Sequence, residues 1–110
     1  MTGRRKEVIE RRAQEIRDKY ACKVIVILVD LASEGGIRKL LASLEGREVH
    51  VLVNNAGFGF RTSFSDTDID GLKRLIYLQT TAVAEITHHV LKGMKERNKG
   101  IIINISSDGA

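Results

Sequence analysis

Three short runs of β-branched and other apolar residues, separated by segments of helical periodicity, constrain the fold of this chain most. The runs lie at residues 24–29, 49–53 and 101–105. Continuous apolar runs of this length predict strands that are buried on both faces. Strands that alternate with helices form a parallel sheet with right-handed crossovers. The sequence therefore predicts an α/β fold with three parallel strands and three helices.

Two of the helices are predicted before the central run. Residues 6–20 carry apolar side chains at spacings of three and four, which is typical of a helix with one buried face. These side chains are Ile9, Ala13, Ile16 and Tyr20. Ser33 is a suitable N-cap for a second helix, and Gly46 is a suitable stop.

The third helix is long and is predicted over residues 67–98. Thr67 or Asp68 can cap its start. Its predicted buried stripe consists of Leu72, Ile76, Gln79, Val83, Ile86, Val90 and Met94. Gln79 is the polar member of that stripe, and an amide that faces a sheet needs a hydrogen-bond partner or a function.

Length and composition favour one domain, residues 1–110, and exclude several classes of function. The net charge is +4, but basic residues alternate with acids at helical spacing, as in Glu7 and Arg11. No aromatic residues are interleaved with these charges before Tyr20, so nucleic-acid binding is not expected. His50, His88 and His89 share no face, and therefore no metal site is expected.

The location expected for the chain is cytoplasmic. Cys22 is the only cysteine, which suits a reducing compartment. No apolar run is long enough to cross a bilayer, so membrane association would need segments other than these residues.

The central run ends in a polar tip, Asn54-Asn55-Ala56-Gly57. Ligands of open α/β sheets bind at the carboxyl ends of parallel strands. An ordinary strand-to-loop connection is the alternative interpretation of this tip taken alone. The loop that follows, up to Asp68, is either a lid or a plain surface connection.

Four motifs together resemble the short-chain dehydrogenase/reductase family in order and spacing. They are Gly3-Arg4-Arg5, Val29-Asp30-Leu31, Leu52-Val53-Asn54-Asn55-Ala56-Gly57 and the stretch from Gly100 to Ser107. The resemblance covers the whole chain and is strongest to the steroid and 3-ketoacyl reductase branch. It implies a partial Rossmann-like, doubly wound domain and NADP-linked interconversion of ketones and alcohols, with a small carbonyl or alcohol substrate.

The resemblance also implies roles for individual residues. Arg4, with its neighbour Arg5, matches the site for the 2′-phosphate of NADP, where a planar, always-charged guanidinium suits a phosphate. Asp30 matches the acid that binds the adenine, although capping the next helix is an equally good role for it.

Further matches concern the tip and the catalytic centre. Asn54, Ala56 and Gly57 match the tip along the adenosine ribose. Ser107 matches the serine that hydrogen-bonds the substrate carbonyl, and Gln79 stands where the family has an asparagine that relays protons through water.

The sequence departs from the family in two motifs. It contains neither the glycine-rich turn Thr-Gly-x-x-x-Gly-x-Gly nor the Tyr-x-x-x-Lys pair. We therefore expect the chain to be the truncated middle of a reductase, and these residues alone to be inactive. The alternative is a non-catalytic interaction module or pseudoenzyme that associates through helix 67–98, which in the family contributes to dimers.

Strand order provides a further expectation. In the family order 3-2-1-4-5, two strands separate those at 24–29 and 49–53, and we expect neither of the two here. Because unpaired backbone groups are costly, we expect strand 24–29 to pair directly with strand 49–53. The alternative is a gap between the two strands, which would indicate a fragment of a larger reductase.

Overall fold

A computed structural model describes residues 1–57 and 62–105 of the chain. In chain order the helices and strands are β1 (Thr2–Gly3), α1 (Lys6–Tyr20), β2 (Ile27–Leu28), α2 (Glu34–Ser43), β3 (Val51–Asn54), a 3-10 turn (Phe64–Asp66), α3 (Ile69–Ile76), a π-helical segment (Tyr77–Ala82), α4 (Val83–Arg97) and β4 (Ile101–Asn104). The α/β class is confirmed. The lid or connection expected after Gly57 falls partly on residues outside the described ranges.

The described strands form two separate parallel pairs. β1 pairs with β2, with Thr2 opposite Ile27, and β3 pairs with β4, with Val51 opposite Ile101. The prediction of three strands was wrong by one, because the first residues of the chain also form a strand.

β2 is shorter than the predicted strand at 24–29. The amino group of Met1 donates to the Ile25 carbonyl oxygen at 2.9 Å, and the Ile27 amide donates to the Met1 carbonyl oxygen at 2.9 Å. A strand is assigned only where its backbone pairs with another strand. β2 is therefore limited to the two residues that pair with β1.

The expected direct pairing of strand 24–29 with strand 49–53 was wrong. β2 is hydrogen-bonded along β1, and β3 along β4. A cavity of about 630 Å³ lies between the two pairs, with Thr2 and Ile27 on one side and Val51 to Asn54 on the other. Apolar side chains from the helices complete its lining, including Leu40, Leu78 and Ile86.

The second pair of strands is buried on one face only. Leu52 and Ile102 pack against the core, whereas Val51 is 50% and Ile101 57% exposed. Burial on both faces was therefore a wrong expectation for β3 and β4. Alternate side chains of a strand point to opposite faces, and among the described elements only α4 makes substantial contact with β3 besides β4 itself.

The core lies between α2, the long helical segment and the end of β2. Its buried members are Val29, Leu31, Ile37, Leu40, Leu78, Ala82, Ile86, Val90 and Met94. At roughly 1.5–3 kcal/mol for each large aliphatic side chain that is fully buried, this cluster is the main source of stability in the described fold.

The first helix has the predicted bounds but a narrower buried face. Ala13 is buried, whereas Tyr20, which was predicted on the same face, is exposed. Among the described elements, α1 makes its main contact with the two-residue strand β1, so little of its predicted apolar face is covered.

The start of α2 confirms the predicted N-cap. The Ser33 hydroxyl accepts a hydrogen bond from the Gly36 amide at 3.1 Å, which satisfies one of the free donors of the first turn. The helix ends at Ser43. Gly46, the predicted stop, lies in the turn that follows with φ of 75°, a conformation that favours glycine.

The long helix is confirmed from Asp68 to Asn98, with an interruption that was not predicted. The Asp68 carboxylate accepts from the Gly71 amide at 3.2 Å, and Asn98 ends α4 with φ of 53°. Between α3 and α4, the segment Tyr77–Ala82 is a π-helix.

This π-helical segment corrects the predicted buried stripe. A π-helix bonds i to i+5 and takes more residues per turn than an α-helix, so it changes the phase of the helix faces. Leu78 and Ala82 are buried, whereas Ile76 is 61% exposed and Gln79 is exposed. The stripe is correct from Ile86 onward.

Two adjacent glycines in α2 provide a test of this packing. A Cβ at Gly36 would overlap the Asp30 carbonyl oxygen, whereas a Cβ at Gly35 meets nothing within 4 Å. Gly36→Ala should therefore lower the free energy of unfolding by about 1–3 kcal/mol. Gly35→Ala should be neutral or raise it by up to about 1 kcal/mol, because alanine favours a helix over glycine. Urea denaturation of both variants measures this, and equal effects would contradict the close contact.

Candidate functional site

The residues proposed from the sequence follow the carboxyl ends of the strands. Arg4 comes directly after β1, Asp30 shortly after β2, and Asn54 is the last residue of β3, opposite Asn104 at the end of β4. Within each pair the strands are parallel, so the side chains that follow them meet at one edge.

The Asp30 carboxylate is held from two sides. Its Oδ1 accepts from the Ala32 amide at 3.0 Å, and its Oδ2 accepts from the Arg74 guanidinium of α3 at 2.8 Å. The side chain is 34% exposed. It caps the turn before α2 and also leaves part of the carboxylate at the surface, so its two proposed roles are compatible.

Two opposing effects set the pKa of Asp30. Partial burial raises this pKa, and the Ala32 hydrogen bond, the contact with Arg74 and the nearby charge of Arg4 lower it. The net pKa of Asp30 lies below its ordinary value. Asp30 is consequently an anion at neutral pH, and a carboxylate in that state is a hydrogen-bond acceptor only.

Arg4 and Arg5 are both exposed at the start of α1. Arg4 lies close enough for its charge to act on Asp30. Arg5 is the N-cap residue, and its side chain makes no capping hydrogen bond. Cations at a helix N-terminus are disfavoured by the helix dipole, so an anion bound there would be stabilising.

At the tip after β3, Asn54 makes structural hydrogen bonds, whereas the residues that follow it are exposed. The Asn54 amide nitrogen donates to Asn104 Oδ1 at 2.8 Å and to Thr87 Oγ1 at 3.2 Å. It thereby joins β3 to β4 and to α4. Ala56 and Gly57 are exposed at the edge, and contact of Asn54, Ala56 and Gly57 with a cofactor stays a prediction.

Gln79 lies above this tip. Its Nε2 atom is 3.6 Å from the position that a Cβ would take at Gly57, so the amide reaches the carboxyl end of β3 even though Gln79 is exposed. The π-helical segment gives Gln79 this orientation, and π-bulges are frequent at functional sites. The Thr80 hydroxyl donates to the Ile76 carbonyl oxygen at 2.6 Å and so satisfies one backbone acceptor there.

Some residues of the site were missed or lie beyond the described ranges. Ser107 is outside residues 1–57 and 62–105, so its catalytic role stays a prediction. Asn104 could have been recognised, since it ends a strand as Asn54 does. Arg74 could not, because its partner is far away in sequence.

The described residues contain neither a metal cluster nor a membrane-spanning helix. No group of three or more His, Cys, Asp or Glu side chains there could hold a metal ion. None of the helices described for this chain has the length and apolar character needed to cross a bilayer.

Comparison with known proteins identifies the family. The family model described as short chain dehydrogenase matches residues 1–110. The chain belongs to the short-chain dehydrogenase family. The predicted membership is therefore confirmed.

Curated relatives include two reductases of different origin. The chain is 37% identical over 111 residues to the very-long-chain 3-oxoacyl-CoA reductase of Homo sapiens, covering 97% of this chain and 36% of that protein. It is 35% identical over 109 residues to the NADP-dependent 3-hydroxy acid dehydrogenase YdfG of Escherichia coli, covering 96% of this chain and 42% of that protein. The chain thus spans well under half of either relative.

Solved structures share the fold. A short-chain dehydrogenase from Sphingobium yanoikuyae in complex with NADPH superposes with a TM-score of 0.87 at 28% identity, over 97% of this chain and 42% of that one. The two parallel pairs of strands are therefore arranged as in the Rossmann-like sheet of a short-chain dehydrogenase.

The structural role of Asn54 can be tested by substitution, with the adjacent Asn55 as the control. Asn54→Ala removes two hydrogen bonds and should lower the free energy of unfolding by about 1–3 kcal/mol. Asn55→Ala should change it by less than about 0.5 kcal/mol, since Asn55 is exposed. Thermal or urea denaturation compares them, and a neutral Asn54→Ala would show that the contacts with Asn104 and Thr87 contribute nothing.

Proposed function

We propose that this chain is part of an NADP-dependent oxidoreductase that interconverts ketones and alcohols. The observation that carries the proposal is an exposed cation, Arg4, whose charge acts on the ionised Asp30, at the strand ends of a short-chain dehydrogenase. A cation and a carboxylate in the same region suit a ligand that carries both a phosphate and a hydrogen-bond donor. A 2′-phosphoadenosine group has that combination.

The adenosine end of the cofactor would be bound by charge and by small residues. Arg4, supported by Arg5, would bind the 2′-phosphate through charge-assisted hydrogen bonds. Asp30 would accept from the adenine amino group. Asn54 would hold the tip, and the small side chains of Ala56 and Gly57 would allow close approach along the ribose.

The catalytic steps would use two further residues. NADP, when bound, would supply or accept the hydride. Ser107 would donate a hydrogen bond to the substrate carbonyl oxygen, and the Gln79 amide, above Gly57, would hold a water that relays protons. Because these residues contain no Tyr-x-x-x-Lys pair, we expect no carbonyl reduction by residues 1–110 alone.

The names of the relatives support a substrate class. One is a 3-oxoacyl-CoA reductase and the other a 3-hydroxy acid dehydrogenase, and both names place the reacting oxygen on carbon 3, as a ketone in one and as an alcohol in the other. We therefore propose a 3-oxoacyl or 3-hydroxyacyl compound as the substrate of the whole protein. A cytoplasmic location stays a prediction from the sequence.

Self-association through residues 67–98 is part of the proposal. Ile69 and Ile76 are 59% and 61% exposed and stand seven residues apart on α3, which places them on one face. Leu91 on α4 is also exposed. Exposed aliphatic side chains on one helical segment favour burial against a second copy.

Binding of cofactor fragments tests the cofactor assignment. Adenosine 2′,5′-bisphosphate should bind at least about tenfold more tightly than adenosine 5′-monophosphate, because a charged hydrogen bond contributes about 1.5–3 kcal/mol. Arg4→Ala should remove this preference. Arg11→Ala, which deletes an exposed cation elsewhere on α1, should keep it. NMR titration of the labelled chain measures the dissociation constants, and a preference that survives Arg4→Ala would contradict the assignment.

Sedimentation equilibrium tests the proposed self-association. Ile76→Glu should weaken it by about tenfold or more, because a buried, unpaired charge is costly. Val8→Glu, at a comparably exposed apolar residue of α1, should leave it unchanged. A wild-type chain that stays monomeric at millimolar concentration would refute this part of the proposal.

A further inference from the structure

The ion pair between Asp30 and Arg74 is a long-range contact whose function the preceding proposal does not explain. Arg74 Nη2 lies 2.8 Å from Asp30 Oδ2 across a sequence separation of 44 residues. It joins the segment after β2 to α3, which otherwise belong to different parts of the fold. The proposed function uses Asp30 but gives Arg74 no task.

Stability alone is a weak reason for this contact. Both side chains are partly exposed, Arg74 by 43% and Asp30 by 34%. Ion pairs at such positions contribute little, because solvent screens the charges and ordering a long side chain costs entropy. Two other ion pairs of the chain, Arg12 with Glu15 and Arg38 with Glu34, lie within single helices and are more exposed.

The contact instead fixes the direction of a carboxylate. The Ala32 amide holds Oδ1 and the Arg74 guanidinium holds Oδ2. A planar group that is held at both oxygens, from two different elements, cannot rotate about its χ2 torsion without losing a contact. A carboxylate offers about four acceptor positions, so about two remain for a ligand.

We propose that Arg74 is a positioning residue, which holds the Asp30 carboxylate so that its remaining acceptor positions face the adenine amino group of the cofactor. This inference rests on the proposed function, because it takes the adenosine end of NADP to bind beside Asp30. The group recognised is the exocyclic amine of the base. Arg4 serves the phosphate, and Arg74 serves the base through Asp30.

Replacing the base separates this role from a purely structural one. Hypoxanthine carries an oxygen where adenine carries the amino group, and an oxygen acceptor is repelled by a carboxylate. A correctly oriented Asp30 therefore prefers an adenine ligand to a hypoxanthine ligand with identical phosphates. If the Asp30–Arg74 ion pair only joined α3 to the segment after β2, removing it would leave the ratio of the two affinities unchanged.

The experiment is an NMR titration of the labelled chain with adenosine 2′,5′-bisphosphate and with inosine 2′,5′-bisphosphate. The wild-type chain should prefer the adenosine compound by about tenfold or more, as expected for a hydrogen bond to a charged group. Arg74→Gln should reduce the preference to less than about threefold. Lys73→Gln is the matched control, because it removes the neighbouring exposed cation of α3 and should keep the full preference.

A second, more conservative variant keeps the test informative if Arg74→Gln does not fold. Arg74→Lys keeps the charge but offers a point contact instead of a planar fork, so it should retain an intermediate preference. A base preference that is unchanged in both Arg74 variants would overturn the inference while the proposed function stands. A wild-type chain that binds both compounds equally would also overturn it. A wild-type chain that binds neither compound would refute the cofactor assignment itself and the inference with it.

Discussion

Burial of aliphatic side chains between α2 and the long helical segment is the interaction on which the rest of this structure depends. Within residues 1–57 and 62–105, no backbone ladder joins the pair β1–β2 to the pair β3–β4. The buried cluster includes Ile37 and Leu40 from α2 and Ile86 and Val90 from α4. Side-chain packing, which has no direction of its own, therefore brings together strand ends that hydrogen bonds leave apart.

Polar contacts at the carboxyl ends of the strands fix the orientation of side chains, which apolar packing alone does not do. Asp30 and Arg74 connect β2 to α3, and Asn54 connects β3 to Asn104 and Thr87. Each contact joins residues that are distant in sequence and partly accessible at the edge. Such contacts contribute modestly to stability but fix the orientation of the groups that a ligand would meet.

The π-helical segment shows how packing and site geometry are coupled. The segment Tyr77–Ala82 places Leu78 and Ala82 in the core. The same change of phase moves Gln79 away from the core and above Gly57. In a continuous α-helix with the predicted stripe, Gln79 would be buried and its amide would lack hydrogen-bond partners, which is costly. The π-helical segment therefore benefits both the core and the carboxyl edge.

The sequence by itself determined the α/β class, the helix bounds set by Ser33 and Asp68, and the family. These features depend on periodicity and on hydrogen bonds between residues a few positions apart, which a sequence displays directly. Only the tertiary structure decided the pairing of β1 with β2, the exposure of Val51 and Ile76, the π-helical segment and the contact of Arg74 with Asp30. Strand partners and side-chain contacts over 44 residues depend on which surfaces packing brings together, and no local pattern encodes that choice.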